Sequence, residues 1–277
     1  MMAELLLPLQ FPFMQNAFLI CIIIAIPTAL LSCFLVLKGW ALMGDAISHA
    51  VLPGIVLAYV TGLPLILGAF AAGMTAAVAT GFLAGNSRVK QDTVMGVVFS
   101  GMFGLGLVLY TAIESDAHLD HILFGNMLGV GAADLWTAGI IALVVTAGLA
   151  LRWKDLMLWS FDPAQARVSG LPVGWLHYGL LTAISLTIVA TLTATGLVLA
   201  VGLLIGPGAI AFLTVRSFGR MMIVACGASL LAMLSGTYAS FWLDSAPAPT
   251  IILVQTALFV LAFLRRRWIT RRSTAQV

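Results

Sequence analysis

The sequence predicts an all-α protein, a polytopic bundle of transmembrane helices with eight or nine crossings. Three observations carry this. Hydrophobic residues make up 62% of the 277 and charged residues only 8%, whereas a soluble domain averages about 25% charged. Mean hydropathy is +1.12. Apolar runs of about 20 residues, the length that spans ~30 Å of hydrocarbon, recur along the whole chain. No polar stretch is long enough for a soluble domain, so residues 1–277 read as a single transmembrane domain.

The runs follow in order. An N-terminal stretch with Glu4 but neither Lys nor Arg, and without an evident small-residue cleavage site, reads as retained and leads into the first run, 13–37. Lys38-Gly39 separates it from 40–60, and Gly62-Leu63-Pro64 separates that from 64–84. Polar residues from Asn86 to Asp92 precede 93–112, and the Glu114 to His121 segment precedes 134–151. Arg152 to Pro172 leads to 174–195. The next run, 197–213, is short and glycine-rich, and counting it separates nine crossings from eight. Runs 221–241 and 250–264 complete the set, divided by Ser245 to Pro249. Cys21, Cys33 and Cys226 lie in apolar runs and read as small packing residues rather than a disulfide or metal framework. Gly81/Gly85 and Gly202/Gly206 have the small-xxx-small spacing that lets membrane helices approach closely.

Basic residues stay on the cytoplasmic side of a membrane protein. With the N-terminus outside and nine crossings, all 13 fall inside, from Lys38, Arg88 and Lys90 through Arg152, Lys154, Arg167, Arg216 and Arg220 to the arginines of the tail. The expected topology is N-out and C-in.

The second run contains Asp45 and His49. A carboxylate in hydrocarbon costs several kcal/mol unless paired, hydrated or liganded. Four residues apart, the two share one helix face, and an anionic oxygen beside an imidazole is half of a transition-metal site. Pro53 lacks the N–H that would bond the His49 carbonyl, so the helix should loosen there and leave that carbonyl free. The plainer alternative is that Asp45 caps a helix start and His49 is a buried core residue.

Two further segments have open readings. Glu114, His118, Asp120 and His121 sit at the outer mouth in this topology, either as a gate that attracts cations or as a solvated loop. In 196–221, Gly206, Pro207 and Gly208 are expected to break the helix, and the following stretch through Arg216 reads as a short amphipathic helix. It is either a docking element for another protein or an ordinary positive-inside loop. His177 shows no partner in the sequence.

Five stretches resemble one family: LKGWALMGDAISHAVLPG (37–54), RVKQDTVMGVVFSGMFGLGLVL (88–109), LDHILFGNMLGV (119–130), FDPAQARVSGLP (161–172) and VGLLIGPGAIAFLTVRS (201–217). They are similar to the membrane permease subunits of bacterial ABC importers for manganese, iron or zinc, the ABC-3 type with a type II importer fold. The resemblance implies a permease in the inner membrane that pairs with a second permease subunit, identical or paralogous. It also implies a cytoplasmic ATP-binding subunit docked at 206–218 and an extracytoplasmic protein that delivers the metal. Asp45 and His49 match the family's intramembrane metal-coordinating positions. The 119–129 stretch is closer to the manganese/iron branch than to the zinc branch. No permanently bound cofactor is implied, only a transported Mn²⁺ or Fe²⁺, with Zn²⁺ as the alternative, and no nucleic-acid partner.

The residues exclude some classes directly. There is no GxxxxGK[ST] loop, so the chain cannot hydrolyse ATP, and no HExxH pair of a membrane metalloprotease. A gradient-driven transporter would want more carboxylates than Asp45 well inside its crossings.

Overall fold

The computed structural model describes residues 7–40, 42–112 and 127–274. Among these residues there are ten α-helices, two 3-10 turns and no strand. The helices are α1 (Pro12–Lys38), α2 (Met43–Ala50), α3 (Leu52–Thr61), α4 (Leu65–Asn86), α5 (Gln91–Ala112), α6 (Ala132–Phe161), α7 (Pro163–Val168), α8 (Val173–Thr214), α9 (Phe218–Trp242) and α10 (Pro247–Thr274). Eight stretches are long and apolar enough to cross a bilayer, with α2 and α3 together forming the second, Met43–Thr61. Leu199–Thr214 is a shorter apolar helix. Outward side chains such as Leu151, 82% exposed, and Ile223, 74% exposed, are apolar, as a lipid-facing surface requires.

Helix α1 stands at the centre and packs against α6, α8 and α9. Its face carries Ala17, Ile20, Cys21, Ile24 and Ala25, all essentially inaccessible. Those residues pack with Leu199, Leu203, Met233 and Ile251 from three later helices. Nearer its end, Ala29 and Cys33 pack with Ala211, Met221 and Ala225.

These two clusters fix the direction of the short helix. Leu199 lies beside the first half of α1 and Ala211 beside the second, so Leu199–Thr214 runs parallel to α1. The preceding stretch, Val173–Leu192, runs the other way. The reversal falls at Gly196, whose φ of 79° and ψ of 174° belong to a region essentially reserved for glycine. The described residues therefore make nine passes, eight long and one short. The chain's two described ends lie on opposite faces: Phe11 stacks near Phe241 at 5.8 Å, while Phe34 meets Phe218 at 5.0 Å on the other side.

The break expected at Pro207 is absent. The helix continues through Gly206, Pro207 and Gly208 to Thr214, so no separate amphipathic helix forms after Pro207. Side chains from neighbouring helices brace the weakened turn. The Ser32 hydroxyl donates to the Ile205 carbonyl at 3.0 Å and accepts from the Gly208 N–H at 2.8 Å. The Gln255 amide of α10 donates to the Gly202 carbonyl at 2.8 Å. Polar side chains of neighbouring helices that bond the backbone beside a proline help a membrane helix to tolerate it. Glycine is required for the approach: a Cβ at Gly206 would overlap the Gln255 side chain, and one at Gly208 the Ser32 backbone. The Gly202/Gly206 spacing thus does what its pattern suggested, whereas a Cβ at Gly85 would meet nothing.

On the face where α1 ends, an aromatic cluster ties three helices together. Trp40, Trp159 and His177 meet edge to face at 5.5–6.0 Å. The Lys38 ammonium lies 4.0 Å from the centre of the Trp159 ring, a cation–π geometry. His177, silent in the sequence, is a packing residue of this cluster. The FDPAQARVSGLP stretch is likewise structural: the Asp162 carboxylate caps α7 by accepting from the N–H groups of Ala164 and Gln165 at 2.9 Å.

Candidate metal-coordinating site

The second crossing is split. Helix α2 has eight residues, Val51 joins it to α3, and Pro53 sits in the first turn of α3. The loosening expected at Pro53 is present, but the His49 carbonyl is not left free, because it accepts from the Val51 N–H. The chain closes a tight local turn there instead of continuing the i to i−4 ladder.

Asp45 lies in the first turn of α2. The cap position is Leu42, and no side chain caps the helix. Asp45 is therefore not a capping residue, and its charge sits where the helix dipole favours an anion. One turn on, His49 Nε2 lies 3.4 Å from Asp45 Oδ1. The two side chains are 32% and 39% exposed respectively. Neither is sealed in a core, so both present ligand atoms to open space.

Three neighbours position α2. A Cβ at Gly44 would strike Leu204, so the helix presses against the returning half of α8. A Cβ at Gly73 of α4 would meet Ile47, Val51 and Ser185. On the α5 side, the His49 ring packs on Phe99 at 5.7 Å and edge-on to Phe103 at 5.3 Å. His49 Nδ1 is buried and has no hydrogen-bond partner among the described residues.

No group of three or more His, Cys, Asp or Glu side chains converges among the described residues. Asp45 and His49 are thus a two-donor set, one carboxylate and one imidazole. Glu114, His118, Asp120 and His121 lie outside the described residues. Gly206 to Gly208 are packed in the bundle, and Pro207 and Gly208 are buried. Arg216 is exposed in the turn between α8 and α9, on the face that carries Lys38. Sequence reasoning missed Ser32 and Gln255, which polarity inside an apolar run would have marked. It also missed Phe99 and Phe103, which nothing distinguishes from the apolar run around them.

Residues 10–266 match the model of the ABC 3 transport family. The chain belongs to the ABC 3 transport family. Within that family it is similar to the chelated iron transport system membrane protein YfeD of Yersinia pestis, with 55% identity over 261 residues covering 93% of this chain and 86% of that protein. It is also similar to the manganese transport system membrane protein MntB of Synechocystis sp., with 44% identity over 260 residues, 93% of this chain and 84% of that one. Among solved structures, PsaBC from Streptococcus pneumoniae in complex with Fab superposes with a TM-score of 0.87 at 33% identity, covering 98% of this chain and all of that one. As an ABC 3 family protein, this chain is a multi-pass membrane transport subunit, and ATP hydrolysis belongs to a separate subunit.

Proposed function

We propose that this chain is the permease of an ATP-driven importer of divalent transition metal ions, Mn²⁺ or Fe²⁺, in the bacterial inner membrane. The observation that carries this is the Asp45–His49 pair: two donors of different hardness, 3.4 Å apart, half-open, on a broken intramembrane helix. A hard carboxylate beside an imidazole suits Mn²⁺ and Fe²⁺. A transport site must also release its ion, and incomplete coordination serves that end. A second permease copy brings two more donors to a shared path. The iron and manganese systems named for the relatives support the same cargo.

In this reading the Lys38 face is cytoplasmic, by the positive-inside rule. The ATP-binding subunit docks there at the α8–α9 turn, and Gly206 to Gly208 set the rigidity of the helix it pushes on. An extracytoplasmic metal-binding protein feeds the opposite face, where Glu114, His118, Asp120 and His121 gather incoming cations.

The test is uptake of Mn²⁺, Fe²⁺ and Zn²⁺ in vesicles holding this permease with its ATP-binding subunit and binding protein. ATP-dependent Mn²⁺ or Fe²⁺ uptake is expected. Uptake of Zn²⁺ in preference to both would transfer the assignment to zinc, and uptake without ATP would make the chain a gradient-driven carrier. In the same preparation Arg216→Glu should weaken capture of the ATP-binding subunit, measured by co-purification. Reversing one close interfacial charge costs several kcal/mol. Undiminished capture would place the docking surface elsewhere.

A further inference from the structure

Taking Asp45 and His49 as the ion's ligands, we infer that Phe99 and Phe103 set how long the ion stays, by denying His49 an outer hydrogen-bond acceptor.

The argument begins with the imidazole. Only an unprotonated ring nitrogen binds a metal. His49 Nε2 faces Asp45 Oδ1 at 3.4 Å, so an ion shared by the two residues takes Nε2. The ring proton then resides on Nδ1. That atom is buried and has no acceptor among the described residues. The ring's surroundings on the α5 side are two phenyl groups, one tilted at 5.7 Å and one edge-on at 5.3 Å. Phe99 and Phe103 stand four apart on α5, so one helix face supplies both.

Durable metal centres are built differently. A ligating histidine almost always donates its second N–H to a carboxylate, a carbonyl or water, which orients the ring and raises its basicity. Here packing orients the ring, and the gain in basicity is withheld. The deficit falls on the imidazole bond and not on the carboxylate bond. Zn²⁺ draws more of its affinity from imidazole than Mn²⁺ does. The phenyl pair therefore shortens the stay of every ion and disadvantages Zn²⁺ most, which keeps a tighter-binding competitor from blocking the path.

The test uses the assembled transporter, with Phe99→Gln and Phe103→Gln to supply an acceptor and Phe99→Leu and Phe103→Leu as apolar controls. Removing an outer acceptor typically costs 10–100-fold in affinity, so adding one should work the other way. For at least one Gln variant, the Mn²⁺ KM and kcat should both fall, and Zn²⁺ should inhibit at about tenfold lower concentration. Phe99→Ala and Phe103→Ala admit water to Nδ1 and should shift Zn²⁺ inhibition in the same direction. Should the Gln variants not assemble, the Ala variants decide. Mere packing damage predicts the opposite sign, weaker binding and a raised KM. Gln and Ala variants that bind Mn²⁺ and Zn²⁺ like the Leu variants, or more weakly, would overturn the inference. His49→Ala in parallel separates the two failures: if it transports normally, the ligand assignment itself has fallen.

Discussion

Asp45→Ala and His49→Ala should each abolish metal uptake while leaving the bundle folded. The first half of this expectation rests on donor count. Among the described residues no third protein ligand stands ready to replace a lost one, and the loss exceeds the ~10–100-fold that even an outer-shell partner commands. Asp45→Asn should behave like the alanine variant, because a neutral amide is a poor substitute for a carboxylate toward a hard cation. The second half rests on exposure. Asp45 and His49 side chains are 39% and 32% exposed, and of the two His49 also rests its ring on Phe99 and Phe103 of α5. Asp45→Ala should stay within about 0.5 kcal/mol, and His49→Ala, which gives up the ring contacts with α5, should cost about 1 kcal/mol, neither enough to unfold the bundle. Radiolabelled Mn²⁺ uptake, read beside expression level and thermal unfolding, checks both halves. Normal uptake by any of the three variants would remove the site.

Gly54→Ala has the reverse signature, with assembly lost first. Helices α3 and α4 cross so closely that a Cβ at Gly54 would overlap the Gly68 carbonyl oxygen, and a Cβ at Gly68 the Gly54 carbonyl oxygen. The obstacle is backbone, which cannot rotate aside. On the other flank, a Cβ at Gly106 of α5 would come within 2.9 Å of Leu52 and the Pro53 nitrogen. Overpacking costs about 1–3 kcal/mol where side chains can adjust, and here whole helices must part, so at least the upper end of that range is expected. The unfolding midpoint in detergent should drop by several degrees, and Gly68→Ala should match it. The internal control lies on α5, where Cβ atoms at Gly96, Gly101 and Gly104 would meet nothing within 4 Å. Alanine there should be neutral or stabilising by up to about 1 kcal/mol. Equal behaviour of Gly54→Ala and Gly101→Ala would mean that the crossing is looser than described.

The passes of this fold were legible because hydrocarbon imposes one length and one composition on each. Even the short glycine-rich run, 197–213, was visible as a segment, and the structure has Leu199–Thr214 there. What the sequence hid was that this segment stays helical through Pro207. Pro207 is the stronger breaker by propensity, yet the helix runs through it to Thr214, and the reversal falls at Gly196, between the runs 174–195 and 197–213. The reason is tertiary: Ser32 and Gln255 rescue the backbone around Pro207 from two other helices, and no local rule anticipates a partner 173 residues away in the chain. The site divides in the same way. Asp45 and His49 were conspicuous because charge in hydrocarbon is rare. The phenyl rings against His49 were not, since Phe in an apolar run is the expected filling.

The reversal at Gly196 also decides where a mechanical load can travel. A push delivered to the Arg216 turn enters the short Leu199–Thr214 strut from below. Between that strut and Val173–Leu192 the helical repeat is interrupted at Gly196. The strut's lateral fastenings are Ser32 on α1 and Gln255 on α10, and Leu204 bears on Gly44 at the start of α2. Force applied at the membrane's edge is thus turned sideways, into the central post and into the base of the helix that carries Asp45 and His49.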